Sequence, residues 1–278
     1  MPATFIVAVI GLGEAGSLIA YDLIRLGIQV RGWDPAPRGD VSQIPLAPNG
    51  RAAAEQADVI LSINAASVAL VVARDLLPVL HPGQIFADLN TSTPALKREL
   101  AQLIESTGAA FVDLALMAPV PGHGLRTPAL ASGPGASMFI ELFKPLGMPV
   151  EFVDQQAGSA AQRKLLRSIF MKGLAAAVIE SMEAANQAGC AEWMRSEITN
   201  QLIEADASLL DRLIKGSRKH AVRRVEEMRA ATDLLYDLHI EPRISQAALA
   251  WLQDLAKNTS LEKISAKERA DNEQTTGI

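Results

Sequence analysis

The chain has 278 residues, room for one large domain or two ordinary ones, and 49% of them are hydrophobic, enough for a real core. Its formal net charge of −5 argues against a nucleic-acid partner, because such proteins carry basic patches. A single cysteine, Cys190, excludes an internal disulfide and a cysteine metal site and fits a reducing cytoplasm; four scattered histidines (His81, His123, His220, His239) show no metal-ligand spacing, so no metal is expected. The N-terminal stretch MPATFIVAVIGLG has no basic n-region, so no signal peptide is expected. No apolar run is long enough to cross a bilayer, so no membrane partner is expected either.

In chain order, TFIVAVI (4–10) is a short β-branched run that reads as a buried parallel strand. Residues 14–26 have helical periodicity and stop at Gly27. Further strands are predicted at IQVRGWD (28–34), ADVILSI (57–63), QIFADL (84–89) and AAFVDL (109–114), with helices over 66–77 and 94–107. Residues 135–144 read as helix and MPVEFVD (148–154) as a last strand. This alternation predicts a parallel sheet with helices on both faces. After residue 157 the strand signal disappears. Residues 159–189 predict one long helix, apolar on most of its circumference and so expected to be buried on several sides, bridging two domains or crossing a dimer interface. Helical patterns continue over 195–236 and 245–257, and a polar tail follows from Lys257, loose or packed on a partner. The expected division is an α/β domain over 1–157 and an all-α domain over 158–278. Trp33, Trp193 and Trp251 are expected to pack rather than to stack on a ligand.

GLGEAG places Gly11, Gly13 and Gly16 in a G-x-G-x-x-G arrangement between a predicted strand and a predicted helix, the context that gives the motif weight. Gly11 allows a tight turn, Gly13 lets backbone approach a pyrophosphate, and Gly16 lets helix and strand pack closely. Leu12, Glu14 and Ala15 complete the loop, whose helix N-terminus offers free N–H groups to phosphate. Asp34 closes the second strand, placed to bind ribose hydroxyls and to repel a 2′-phosphate. NAD is therefore the expected cofactor, with NADP possible because Arg38 follows closely.

The ordered motifs resemble those of the β-hydroxyacid dehydrogenase family, which includes 3-hydroxyisobutyrate and 6-phosphogluconate dehydrogenases. GLGEAG resembles its cofactor loop and DLNTSTP (88–94) its element near the nicotinamide. APVPGHG (118–124) resembles its substrate loop, and GSAAQRKLLRS (158–168) resembles its catalytic helix, with Lys164 on the lysine. The resemblance implies a Rossmann domain followed by a helical domain, and an oxidoreductase that passes hydride between the cofactor and a small polar 3-hydroxy acid or its oxo form. It implies Lys164 as general acid/base, with Asn64, Asn90 and Thr91 beside the cofactor. Asn90, Gly122, His123 and Ser168 are expected to position the substrate. Pro121 stands where the family has serine, so backbone N–H groups of Gly122 and His123 are left to hold an anion. Ser168 stands where the family has asparagine, and the changes mark a divergent branch.

A lysine transfers protons near neutral pH when burial and nearby positive charge lower its pKa. The positive end of the helix that opens near Ser159 acts in that direction on Lys164. At about 100° per residue Ser168 lies on the same side, as do Arg167 and Met171, whereas Glu180 points away and reads as structural. Lys172 reads as a surface group rather than a second active-site cation. His123 is either a substrate contact or an exposed loop histidine. His220 and Arg223 share a helix face and offer an anion contact, while Arg224 and Glu227 read as a surface pair. Two other readings stay open: imine reduction on the same scaffold, where a lysine at this position is generally lacking, and a non-catalytic NAD(H)-binding redox sensor. A homodimer or higher homo-oligomer is expected from the long apolar helix.

Overall fold

The computed structural model describes residues 5–258, so the predicted tail beyond 258 lies outside the described residues. The chain divides into two compact units, one ending at Ser168 and one beginning at Ile169. In the first, the elements run β1 (Ile6–Ile10), α1 (Glu14–Arg25), β2 (Gln29–Trp33), α2 (Gly50–Ala54), β3 (Val59–Ser62), α3 (Ala69–Leu76), β4 (Ile85–Asp88), α4 (Pro94–Glu105), β5 (Ala110–Leu116), β6 (Ala129–Ser132), α5 (Ala136–Phe143) and β7 (Val150–Phe152). They build a seven-stranded sheet in the order β2-β1-β3-β4-β5-β6-β7. Every neighbouring pair is parallel except β5 and β6. The expected α/β architecture is therefore present, with the strand order reversing between β1 and β3, where such sheets bind ligands at their carboxyl ends.

Alternate strand residues supply two cores. Val7, Val9, Val59 and Leu61 face Ile19 and Leu23 of α1 and Phe139 and Phe143 of α5. Ala8, Ile10, Ile60 and Phe86 face Ala53 of α2, Ala73 and Leu76 of α3, and Leu100 and Ile104 of α4. Coverage on both faces explains why these strands read as unbroken apolar runs rather than alternating ones. Two elements carried no usable sequence signal. β6 is a four-residue strand between Pro128 and Gly133, with a composition that reads as loop. α2 is short and rests on Asn49, whose Oδ1 accepts from Ala52 N at 2.8 Å.

The long helix forms as expected, as α6 over Ser159–Gln187. Its first turns belong to the first unit, which carries that unit past the division expected at 157. The expected burial on several sides is not found among the described residues. Ala160, Ala161, Glu180 and Ala185 are buried along the helix, but Ile169 is 73% exposed and Phe170 and Ile179 are also open. A helix roughly 44 Å long at 1.5 Å per residue has more apolar surface than its neighbours in one chain cover.

The second unit continues with α7 (Ala191–Ile203), α8 (Ala207–Asp211), a π-helical turn (Arg212–Gly216), α9 (Ser217–Lys219), α10 (Ala221–Asp237) and α11 (243–258). The pattern predicted over 195–236 is thus cut. One break precedes Asp206, whose side chain caps α8 by accepting from Leu209 N at 2.9 Å. Glu180 is structural, as read: its carboxylate accepts from Ile244 N, Ser245 N and Ser245 Oγ at the start of α11. Against the upward push of burial, those bonds hold its carboxyl below the usual range. Trp33 is half-buried against the second core, whereas Trp193 and Trp251 are mostly exposed within the chain.

Among the described residues, no helix is long and apolar enough to cross a membrane, and no cluster of histidine, cysteine and carboxylate side chains fits a metal ion.

Candidate active site

The glycine loop lies between β1 and α1. Gly11 has φ +107°, and a Cβ there would stand 2.1 Å from the carbonyl oxygen of Ile63, so only glycine makes the turn. A Cβ on Gly16 would stand 1.9 Å from Gly11 O, the close helix–strand contact. Gly13 differs, because nothing lies within 4 Å of its Cβ position. It is also the N-cap of α1, with no side chain capping the helix. The Glu14, Ala15 and Gly16 turn therefore presents its N–H groups to an open space, the arrangement that holds a pyrophosphate. These residues fit a dinucleotide.

Leu12 holds the loop in shape. Its N–H donates to Asp34 Oδ2 at 2.7 Å, its carbonyl accepts from Gly39 N at 3.0 Å, and its side chain is buried. It braces the loop. Asp34 also accepts from Ala36 N at 2.8 Å through Oδ1, so each carboxylate oxygen fixes backbone and retains a lone pair for a ribose hydroxyl.

Asn64 follows β3 and Asn90 follows β4, and the two clasp each other. Asn64 N donates to Asn90 Oδ1 at 2.6 Å, and Asn90 Nδ2 donates to Asn64 Oδ1 at 3.0 Å. Asn90 Nδ2 also meets Asp88 Oδ1 and, at 3.3 Å, Ser62 Oγ. The Asn90 side chain is buried with both ends of its amide engaged. Beside the substrate contact expected of it, Asn90 braces two strand ends. Thr91, next in the chain, is exposed at the same edge.

Beneath Asn90 lies a charged cluster with no counterpart in the sequence reading. Lys97, in the second turn of α4, is 1% exposed. Its Nζ donates to Asp88 O at 2.8 Å and Asp88 Oδ2 at 2.7 Å, and lies 3.0 Å from Asp113 Oδ1. The parallel register sets Asp88 directly beside Asp113. Burial, reinforced by Asp113, pushes the Asp88 carboxyl above the usual range against the pull of Lys97 and Asn90. Removing the cation alone would leave two buried carboxylates unpaired, at a cost of about 3–5 kcal/mol.

The same cluster holds the start of α6. Ala161 N donates to Asp113 Oδ2 at 2.8 Å and Ala160 N to Ser132 Oγ at 3.0 Å. Gly158, at φ +98°, lets the chain pass close to Pro94, where a Cβ would meet the carbonyl oxygen at 2.7 Å. Lys164 follows on the next turn and is half-buried. Burial first, then the positive charges of Lys97 and Arg167, push its ammonium below the usual lysine range, while Asp113 pulls the other way. The helix end expected to repel the lysine's charge is thus partly offset by the carboxylate bound to it. Ser168, one turn further, is half-buried; Arg167, Met171 and Lys172 are exposed.

Gly122 and His123 go elsewhere. They line an open groove with Leu18, Tyr21 and Arg25 in the second half of α1, while Asp22 Oδ2 anchors the loop through Leu125 N at 2.8 Å. His123 N donates to Val120 O at 2.9 Å within the loop turn. Its ring Nδ1 faces Pro119 O at 3.1 Å and so carries the proton, leaving Nε2 at the surface. His220 and Arg223 belong to the second unit and are exposed, and Arg223 is paired with Glu227. The surface pair read for Arg224 falls to Arg223, because Arg224 reaches Ser217 Oγ at 2.6 Å instead.

Known proteins add to this geometry. Residues 6–125 match the NAD binding domain of 6-phosphogluconate dehydrogenase, and residues 185–255 match a domain of unknown function, DUF1932. A probable 3-hydroxyisobutyrate dehydrogenase of Mycobacterium tuberculosis is 30% identical over 135 residues, 46% of this chain and 45% of that protein. The first matched curated relatives are spanned over only 38% to 61% of their own length. A conserved hypothetical protein of Sinorhizobium meliloti 1021 has a solved structure with a TM-score of 0.60 and 28% identity, covering 90% of this chain and 88% of that one. An imine reductase variant of Myxococcus stipitatus, in complex with NAD+, gives a TM-score of 0.76 at 18% identity over 92% of this chain and 94% of that one, a likeness of fold alone.

Proposed function

We propose that this chain, an NAD-binding domain of the 6-phosphogluconate dehydrogenase type followed by a helical domain carrying DUF1932, works as an NAD(P)-dependent oxidoreductase on a small polar 3-hydroxy acid or its oxo form. The bound nicotinamide supplies or accepts the hydride. Lys164 handles the proton: Nζ takes it from the substrate hydroxyl in oxidation and gives it to the oxo oxygen in reduction. The observation that carries this reading is the half-buried Lys164 on a helix whose first turn is tied, through Asp113 and Lys97, to the strand edge that bears Asn90. A solvated surface lysine has no such surroundings. Ser168, one turn on, shares the same oxygen in this reading. The 30% identity to a probable 3-hydroxyisobutyrate dehydrogenase supports the substrate class. Asp34 supports NAD over NADP.

The sign of the pH dependence follows from the lowered lysine pKa. Oxidation needs neutral Lys164, so its rate rises with pH through the lysine's midpoint; reduction needs the ammonium, so its rate falls above that midpoint. The test is oxidation of NADH and NADPH across a panel of small oxo acids and cyclic imines. Turnover of an oxo acid, faster with NADH, is the expected result. Turnover of imines alone makes the chain an imine reductase, and tight NADH binding with no turnover of either class makes it a sensor.

The working form is a homodimer in the cytoplasm, where exposed Cys190 stays reduced. Support comes from the second unit, where Ile203, Trp251 and Ile169 are 76%, 70% and 73% exposed. Side chains of that size are rarely left to water in such numbers. Light scattering at micromolar concentration is expected to give twice the chain mass, and a monomer there rejects the dimer.

A further inference from the structure

We propose that Lys97 is the positioning residue of this site, a buried cation that fixes Asn90 through Asp88 and fixes the first turn of the Lys164 helix through Asp113. The inference rests on the reading of Lys164 as the proton-transfer group. Three elements meet at one nitrogen. From α4, Lys97 Nζ reaches the carbonyl and carboxylate of Asp88 at the end of β4 and the carboxylate of Asp113 on β5. Asp88 Oδ1 takes the Asn90 amide, which clasps Asn64 at the end of β3. Asp113 Oδ2 takes the Ala161 N–H at the opening of α6. One ammonium thus registers both the edge where the cofactor is expected and the helix that carries the acid.

Packing alone does not explain a lysine here. A leucine in place of Lys97 would suit an interior site, and two facing carboxylates would then have no reason to be present. The arrangement instead sets fixed charges around Lys164: Lys97 from α4, Asp113 from β5 and Arg167 from its own helix. Lys97 disfavours a second positive charge there, and Asp113 favours it. The two are tied to each other, so moving either one moves the field at Lys164.

Full-length protein labelled with 13C-lysine gives the test by NMR titration, with the Lys164 signal assigned by its loss in Lys164→Arg. Lys97→Met is expected to raise the Lys164 midpoint by roughly 0.5 pH unit or more, and Asp113→Asn to lower it by a similar amount. A residue that merely supports the fold would shift neither, or both in the same direction, and either result overturns the proposal. If Lys97→Met does not fold, Asp113→Asn decides alone. That variant keeps the Lys97–Asp88 pair and an oxygen for Ala161 N, and an unmoved midpoint in it refutes the proposal. The titration needs no substrate. Failure of Lys164 as the acid/base would show instead as full turnover in Lys164→Ala, with the titration shifts intact.

Discussion

Lys164→Ala is expected to slow turnover about 10²–10⁴-fold, the range for loss of a positioned general acid/base. NADH affinity should stay within about threefold of wild type, because the lysine acts on the transition state rather than on cofactor binding. The glycine loop and Asp34, which are expected to carry that affinity, are held by bonds of their own, to Leu12 N and Ala36 N. The fold should also hold. The first turn of α6 is fixed upstream of the lysine, by Ala160 and Ala161 on Ser132 and Asp113. Alanine is a good helix former, and removing a half-buried cation relieves desolvation. Stopped-flow kinetics and an NADH fluorescence titration on the same preparation separate the two quantities. Turnover within twofold of wild type would return Lys164 to a surface charge.

Gly13→Val should abolish cofactor binding, weakening NADH by about 100-fold or more, while the melting temperature moves by less than about 2 °C. The backbone at Gly13 has φ −72° and ψ −167°, which valine adopts freely, and nothing in the chain stands within 4 Å of the new Cβ. Any large effect therefore falls on a ligand that needs that space. Gly16→Ala is the control with the opposite signature. Its Cβ would fall 1.9 Å from Gly11 O, so backbone must move. Overpacking of this kind costs about 1–3 kcal/mol and lowers the melting temperature by several degrees. If Gly13→Val binds NADH as wild type does, the pyrophosphate does not sit on this loop.

The strand–helix alternation was legible because each parallel strand, covered on both faces, appears as a continuous apolar run ended by a turn. The loop GLGEAG was legible because glycine is the residue that its φ and its close contacts allow. Lys97 was not legible. In TPALKREL it looks like any lysine in a helix rich in charge, and its partners stand 9 and 16 positions away on separate strands. The bracing bonds of Asn90 were hidden for a related reason. Sequence spacing places an amide at a strand end but does not reveal that Asn64 and Asp88 already occupy it. His123 and Gly122 lie on a loop whose course is set by Asp22, more than a hundred residues earlier in the contact with Leu125.

By itself the sequence determined local features: most of the parallel strands and their helices, the glycine turn between β1 and α1, and which lysine lies on a helix beginning beside the sheet. Each depends on residues close in the chain, through periodicity, capping and glycine stereochemistry. Only the tertiary structure decided which polar groups are already satisfied. It engaged Asn90, Leu12 and the His123 N–H, left the upper surface of Gly13 open, and buried Lys97 between two carboxylates. That decision depends on hydrogen-bond pairing across strands and on desolvation, and both are set by residues that meet only when the sheet is assembled.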